Sequence, residues 1–198
     1  MRQLTPIVKN LIIANVLVFV AQFMFGRQGI DIENWAALFP YGTPYFKIWQ
    51  LVTYMFLHGG LMHIFFNMFT LFIFGPILEN LWGAKRFFNF YIICGIAAGL
   101  AHLFINPGFS IAVGASGAIM GIMAAFAYLF PNTELMLMFI PVPIKAKYLI
   151  PGFMALDIFG AFAGVPGDNI AHWAHLGGAL AGFILVFIWN KTNRNTFY

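Results

Sequence analysis

Ser116 stands in the run Gly114-Ala115-Ser116-Gly117 where a long apolar stretch begins, and His175 stands near the head of another. A hydroxyl becomes a nucleophile when a base takes its proton, and its attack on a carbonyl creates an oxyanion that needs hydrogen-bond donors. Serine and histidine supply the first two parts if their segments touch. Donors have candidates as well: His63 and Asn67, four residues apart, share one face of a helix, and a helix opening at Ser116 leaves the N–H groups of its first turn unpaired. Together these residues could cleave an acyl bond. Taken singly each has an ordinary reading, because Gly-x-Ser-Gly is a common turn and polar side chains inside a bundle often bond a neighbouring helix.

The elements that must position them are apolar helices. Of 198 residues 62% are hydrophobic and only 8% charged, too little polar surface to cover a water-soluble globule. The expected class is an all-α, multi-pass integral membrane protein. At about 20 residues per crossing the length allows roughly six spans and no separate soluble domain. They fall near 8–26, 61–80, 87–105, 116–131, 148–164 and 171–190. The first has no small-residue cleavage site behind it and reads as a span, not a removed signal. Between spans one and two, about 27–60, lie Trp35, Phe39, Tyr41, Tyr45, Phe46 and Trp49, a pattern for short helices in the headgroup region. Within it, Trp49 to Leu57 is apolar enough to dip inward.

The net charge of +4 comes from basic residues at segment ends, which is a membrane pattern and not a nucleic-acid face. Arg2, Lys9, Lys85, Arg86, Lys145, Lys147, Lys191 and Arg194 fall on one side, and only Arg27 and Lys47 on the other. The positive-inside rule puts both termini in the cytoplasm. His63, Asn67, Ser116, His172 and His175 then all lie toward the outer ends of spans two, four and six. Cys94, the only cysteine, sits inside an apolar stretch as a small core residue.

Spans four and six have the means to approach. Gly117 and Gly121 form one small-residue face, Gly178 and Gly182 another, and His175 shares the second. The runs His58-Gly-Gly-Leu-Met-His63-Ile-Phe-Phe-Asn67, Gly114-Ala-Ser116-Gly117 and Ala174-His175-Leu-Gly-Gly178-Ala-Leu-Ala-Gly182, in this order, resemble the rhomboid family of intramembrane serine proteases. The likeness covers almost the whole chain, as a single rhomboid-like domain over 1–198 built on a six-helix core. It implies a dyad of Ser116 as nucleophile and His175 as general base. It implies an oxyanion hole from the Ser116 N–H with His63 and Asn67, and a cavity open to the outer face. It implies membrane-protein substrates cut within or just outside the outer leaflet, without metal, ATP or other cofactor. A bacterial cytoplasmic membrane is the expected setting.

One position departs from the family pattern. Trp-Arg is frequent in the first outer connection, and here the pair is Trp49-Gln50. Glutamine lacks the charge and fork of arginine, which puts that arginine's part in loop stability or lipid contact in doubt. His172 reads as a half-solvated interface residue, His58 as a candidate for the cavity wall, and His102 as interfacial. Asp157 is the one carboxylate deep in a span, where it could face the cavity or bond a neighbouring helix; the structural role is favoured. Asp168 suits a loop or helix start. Spacing places neither aspartate behind His175, so no third acid is assigned. Asn106-Pro107-Gly108 and Pro131-Asn132 end spans three and four, and Pro141-Val-Pro143 shapes the fourth connection. Phe65, Phe66 and Phe69 on span two and Phe153, Phe159 and Phe162 on span five are expected to fill helix contacts. The resemblance makes the gap between those spans a lateral access route, and the same aromatics its gate candidates.

Other chemistries fit less well. A membrane zinc protease needs His-Glu-x-x-His and the chain has no such run; an aspartyl type needs two intramembrane aspartates. A histidine-lined transporter would explain polar residues in spans, but not their confinement to one depth, and no paired interrupted helices suggest inverted repeats. A catalytically dead relative that binds membrane clients has no need of both Ser116 and His175.

Overall fold

The computed structural model describes residues 4–105, 110–137, 140–163 and 170–192. Chain order is α1 (Pro6–Gly26), α2 (Glu33–Ala36), α3 (Gln50–Thr53), a 3-10 turn (Tyr54–Phe56), α4 (Leu61–Trp82), α5 (Ala84–Ile105) and α6 (Ser116–Leu129). Strands β1 (Glu134–Leu137) and β2 (Ile140–Lys145) follow, then α7 (Ala146–Ala163) and α8 (His172–Thr192). The six longest helices begin and end within three residues of the expected spans. Five of them, α1, α4, α5, α7 and α8, are long and apolar enough to cross a membrane, while α6 has 14 residues. Asn106-Pro107-Gly108, Asp168, Arg2 and Arg194 lie outside the described residues.

The helix α6 is the axis of the bundle. It packs on α8, α5, α4 and α7, and its buried face includes Gly117, Gly121, Ala118, Ala125, Ile122 and Phe126. Small residues let backbones approach in a solvent that gives apolar side chains no reason to leave it. The helices α4 and α5 are joined by Gly83 alone, whose φ of +80° reverses the chain without the clash a Cβ would bring. Glu79 near that end of α4 is only 3% exposed, and its two carboxylate oxygens accept the N–H groups of Ile7 and Val8 at 2.9 Å each. Those are first-turn donors of α1, left without intrahelical partners. A carboxylate is the favoured partner at a helix N-terminus, so one buried acid docks α1 on α4.

The inward dip between spans one and two is made by α3 and the 3-10 turn. Tyr54, Met55 and Leu57 are buried, and the Tyr54 hydroxyl donates to the Gly95 carbonyl at 2.7 Å. Gln50 is the hub of this region. Its Oε1 accepts the N–H groups of Lys47 (3.1 Å) and Phe39 (3.3 Å), and its Nε2 donates to the carbonyls of Tyr45 (3.0 Å) and Trp35 (3.4 Å). A neutral amide can accept and donate in the same place, which a guanidinium cannot, so here loop stability is carried by Gln50 without a charge.

Three expectations change. The fourth connection is an antiparallel ribbon pairing Glu134 with Lys145 and Met136 with Pro143; prolines are tolerated because both strands of a two-stranded ribbon are edges. Phe65, Phe66, Phe69 and Phe159 are exposed and do not fill helix contacts, Phe153 is half-buried, and Phe162, 75% exposed, meets α8 through its ring against Trp173. In lipid, aromatic rings gain little by turning inward. His102, expected at the interface, is enclosed by protein, 4% exposed, with Nε2 at 3.2 Å from both the hydroxyl and the carbonyl oxygen of Ser110.

Candidate active site

Ser116 is the first residue of α6, and the methyl of Ala115 at the N-cap has no acceptor to occupy the first-turn donors. The chain reaches it through Gly114, whose N–H donates to the Tyr54 carbonyl at 2.8 Å and whose φ is +122°. A Cβ there would stand 2.7 Å from Cε1 and Nε2 of His63. Glycine is therefore required twice, by the backbone angle and by the imidazole lying over it.

The α6–α8 crossing sets the base. At Gly121 an added Cβ would meet the Gly178 carbonyl oxygen at 3.0 Å, and at Gly117 it would strike Ala98 of α5. With the helices this close, His175 on the first turn of α8 directs Nε2 at Ser116 Oγ, 2.8 Å away. The His175 side chain is 18% exposed, shielded yet reachable.

His63 and Asn67 lie on α4 as spaced. The Gly59 N–H donates to His63 Nδ1 at 3.3 Å, which assigns the remaining ring proton to Nε2, the edge that faces Gly114. His63 is thereby a donor toward the Ser116 loop. Asn67 is 6% exposed and its Nδ2 donates to the His63 carbonyl at 3.0 Å; the amide carries two hydrogens, and this bond uses one. His58 is not a wall of open cavity. It is 2% exposed, its ring centroid 5.1 Å from that of His63, and neither ring nitrogen has a partner among the described residues. Burial, with the His63 ring as a like-charged neighbour when protonated, pushes its pKa down to about 4.

Asp157 does bond a neighbouring helix, as expected, but its partners are two histidines of α8 that sequence reasoning did not link to it. Asp157 Oδ1 lies 2.7 Å from His172 Nδ1 and 3.0 Å from His175 Nδ1. His172 is not half-solvated: its side chain is 12% exposed and paired. An acid does stand behind His175, supplied by α7. The available signal was a shared spacing, Asp157 with Gly160 on one span and His172 with His175 on the next, each three residues apart. Among the described residues, no three of His, Cys, Asp or Glu are grouped to hold a metal ion.

Comparisons with known proteins find relatives over most of this chain. RHOMBOID-like protein 6, mitochondrial, of Arabidopsis thaliana is 37% identical over 141 residues, covering 71% of this chain and 43% of that protein. Rhomboid-like protein 11, chloroplastic, of the same plant is 30% identical over 190 residues, 91% of this chain and 64% of that protein. Rhomboid protease GluP of Bacillus subtilis is 32% identical over 135 residues, 68% of this chain and 25% of that protein. The chain thus spans less than two thirds of the length of each of these relatives. A rhomboid domain matches residues 45–192, a stretch that holds every residue from the Gln50 hub to the last turn of α8, and the chain belongs to the rhomboid family of membrane proteins.

Proposed function

We propose that this protein is a membrane-embedded serine endopeptidase in which Ser116 is the nucleophile and His175 its general base. The observation that carries this reading is the 2.8 Å approach of His175 Nε2 to Ser116 Oγ across the α6–α8 crossing, within hydrogen-bond reach for proton transfer. Ser116 Oγ attacks a substrate carbonyl as its proton passes to Nε2. The oxyanion is held by the Ser116 N–H, the His63 Nε2–H and the second hydrogen of the Asn67 amide. His175 then protonates the leaving amine, and water reverses the sequence on the acyl-enzyme.

The membrane setting we infer has six crossings, with α6 as the short one, forming one domain over 1–198. At about 1.5 Å per residue α6 is roughly 21 Å long, against a hydrocarbon core of about 30 Å. A helix that stops short of one boundary supports a serine set below the outer surface. The excess of basic residues at the ends that hold Lys9, Lys85, Arg86, Lys145 and Lys191 supports both termini in the cytoplasm. Substrates are then single-span or other membrane proteins that reach Ser116 from the bilayer, cut within or near the outer leaflet. No cofactor, metal or nucleic acid enters the scheme, and a bacterial cytoplasmic membrane is the proposed location.

The test is cleavage of a single-span substrate by purified protein in detergent and in liposomes. Wild type cuts, and Ser116→Ala and His175→Ala do not; equal rates for all three would end the protease reading. Asn67→Ala lowers kcat on the order of 10²-fold, as for loss of one oxyanion donor.

A further inference from the structure

The helix α7 carries a single carboxylate, Asp157, and Gly160 lies three residues beyond it. The absent side chain at Gly160 matters, since a Cβ there would press into the His172 ring, 2.5 Å from Nε2 and 3.0 Å from Nδ1. On α8, His172 and His175 are three apart and turn both rings toward this face of α7. One carboxylate oxygen serves both, at 2.7 Å and 3.0 Å, with the acid 13% exposed.

We propose that Asp157 is the positioning residue of the site: it holds His175 in the tautomer that can accept the Ser116 proton, and His172 holds Asp157 in place. The inference rests on the reading of Ser116 and His175 as nucleophile and base. An ionised carboxylate accepts hydrogen bonds and has none to give, so an imidazole bonded to it through Nδ1 carries its proton there. For neutral His175 that leaves Nε2 as the acceptor facing Ser116 Oγ. When Oγ bonds to the substrate carbon, the carbonyl π pair moves to oxygen and the Oγ proton moves to Nε2. The imidazolium so formed donates from both nitrogens, with the Asp157 charge beside Nδ1. The proton then passes from Nε2 to the amine nitrogen as the C–N bond breaks, and Asp157 stays ionised throughout. The second bond, from His172, fixes the carboxylate so that Oδ1 stays on His175; a lone aspartate on a neighbouring helix would have two free torsions.

A merely structural tie between α7 and α8 makes different predictions, because asparagine keeps the shape and a hydrogen bond. Its amide, however, can offer an N–H to His175 Nδ1 and favour the wrong tautomer. The experiment uses full-length protein in detergent, with Asp157→Asn, Asp157→Glu, His172→Ala and His175→Ala. Three quantities are read: the rate of Ser116 labelling by a fluorophosphonate probe, the thermal midpoint, and the ¹⁵N NMR signature of the His175 ring. Asp157→Asn should label roughly 10²–10⁴-fold more slowly with a thermal midpoint near that of wild type. Its His175 ring should lose the pure Nδ1–H signature, and Asp157→Glu should recover part of the rate. His172→Ala should fall less than Asp157→Asn.

Labelling of Asp157→Asn within about threefold of wild type, or a lower rate matched by unfolding with the His175 tautomer unchanged, would overturn the positioning role. If His175→Ala abolishes labelling while Asp157→Asn does not, that role alone fails. If His175→Ala labels like wild type, the base assignment fails and the positioning role goes with it.

Discussion

Gly182 on α8 crosses Gly121 on α6 so closely that a Cβ at Gly182 would stand 2.5 Å from both the Cα and the carbonyl oxygen of Gly121. The three atoms nearest that Cβ are all backbone of Gly121. Elsewhere in a helix, alanine in place of glycine gains about 0.8–1.0 kcal/mol of propensity, whereas overpacking a tight contact costs about 1–3 kcal/mol. Because the obstruction is backbone, overpacking wins at this position. Gly182→Ala should lower the thermal midpoint and also slow Ser116 labelling, since parting α6 from α8 lengthens the reach from His175 two turns away. Leu180→Ala, at a position 60% exposed on the same helix, should leave labelling unchanged. Both are measured side by side with a fluorophosphonate probe and a thermal ramp.

Gln50 offers a test of how the first outer connection is held. Leucine is close in size but would leave two N–H groups and two carbonyls without the partner they have now, each buried polar group costing about 1–3 kcal/mol if water cannot replace it. The bonds at 3.0 and 3.1 Å, to Tyr45 and Lys47, carry more of this than those at 3.3 and 3.4 Å. Gln50→Leu should therefore lower the thermal midpoint by several degrees. Gln50→Glu keeps the acceptor for Lys47, loses the donor for Tyr45, and should fall between the two. Scanning calorimetry in detergent ranks the three proteins.

What could be read in the sequence followed from features that act along a single helix. Apolar length marked the long helices, the i,i+4 pair His63 and Asn67 marked one polar face, and the glycines marked where α6 and α8 touch. What escaped were relationships between helices whose rotation no local pattern specifies. Asp157 needed the rotation of α7 about its own axis before it could stand behind His175, and its spacing from Gly160 gains meaning only beside that of His172 and His175. Gln50 was legible as a missing charge and not as a gained amide, because its four partners are spread along the connection from Trp35 in α2 to Lys47. The ribbon of β1 and β2 was hidden by Pro141 and Pro143, which argue against a strand unless the strand is known to be an edge.

His58 predicts how the fold responds to acid. In the folded protein its pKa is pushed down to about 4, chiefly by burial, while in the unfolded chain an imidazole titrates near 6.5. Between those values the unfolded state binds the extra proton, so stability rises with pH across the interval and is level above it. Acidification from pH 6.5 toward 4 should thus lower the thermal midpoint progressively. His58→Leu removes the group that takes up the proton, and its midpoint should fall less steeply over the same window. Above pH 7, where His58 is neutral in both states, the two curves should run parallel, and any offset there reports packing alone. Midpoints measured at half-unit steps from pH 4 to 8 check this directly; identical slopes below pH 6.5 would mean that His58 is not the residue resisting protonation.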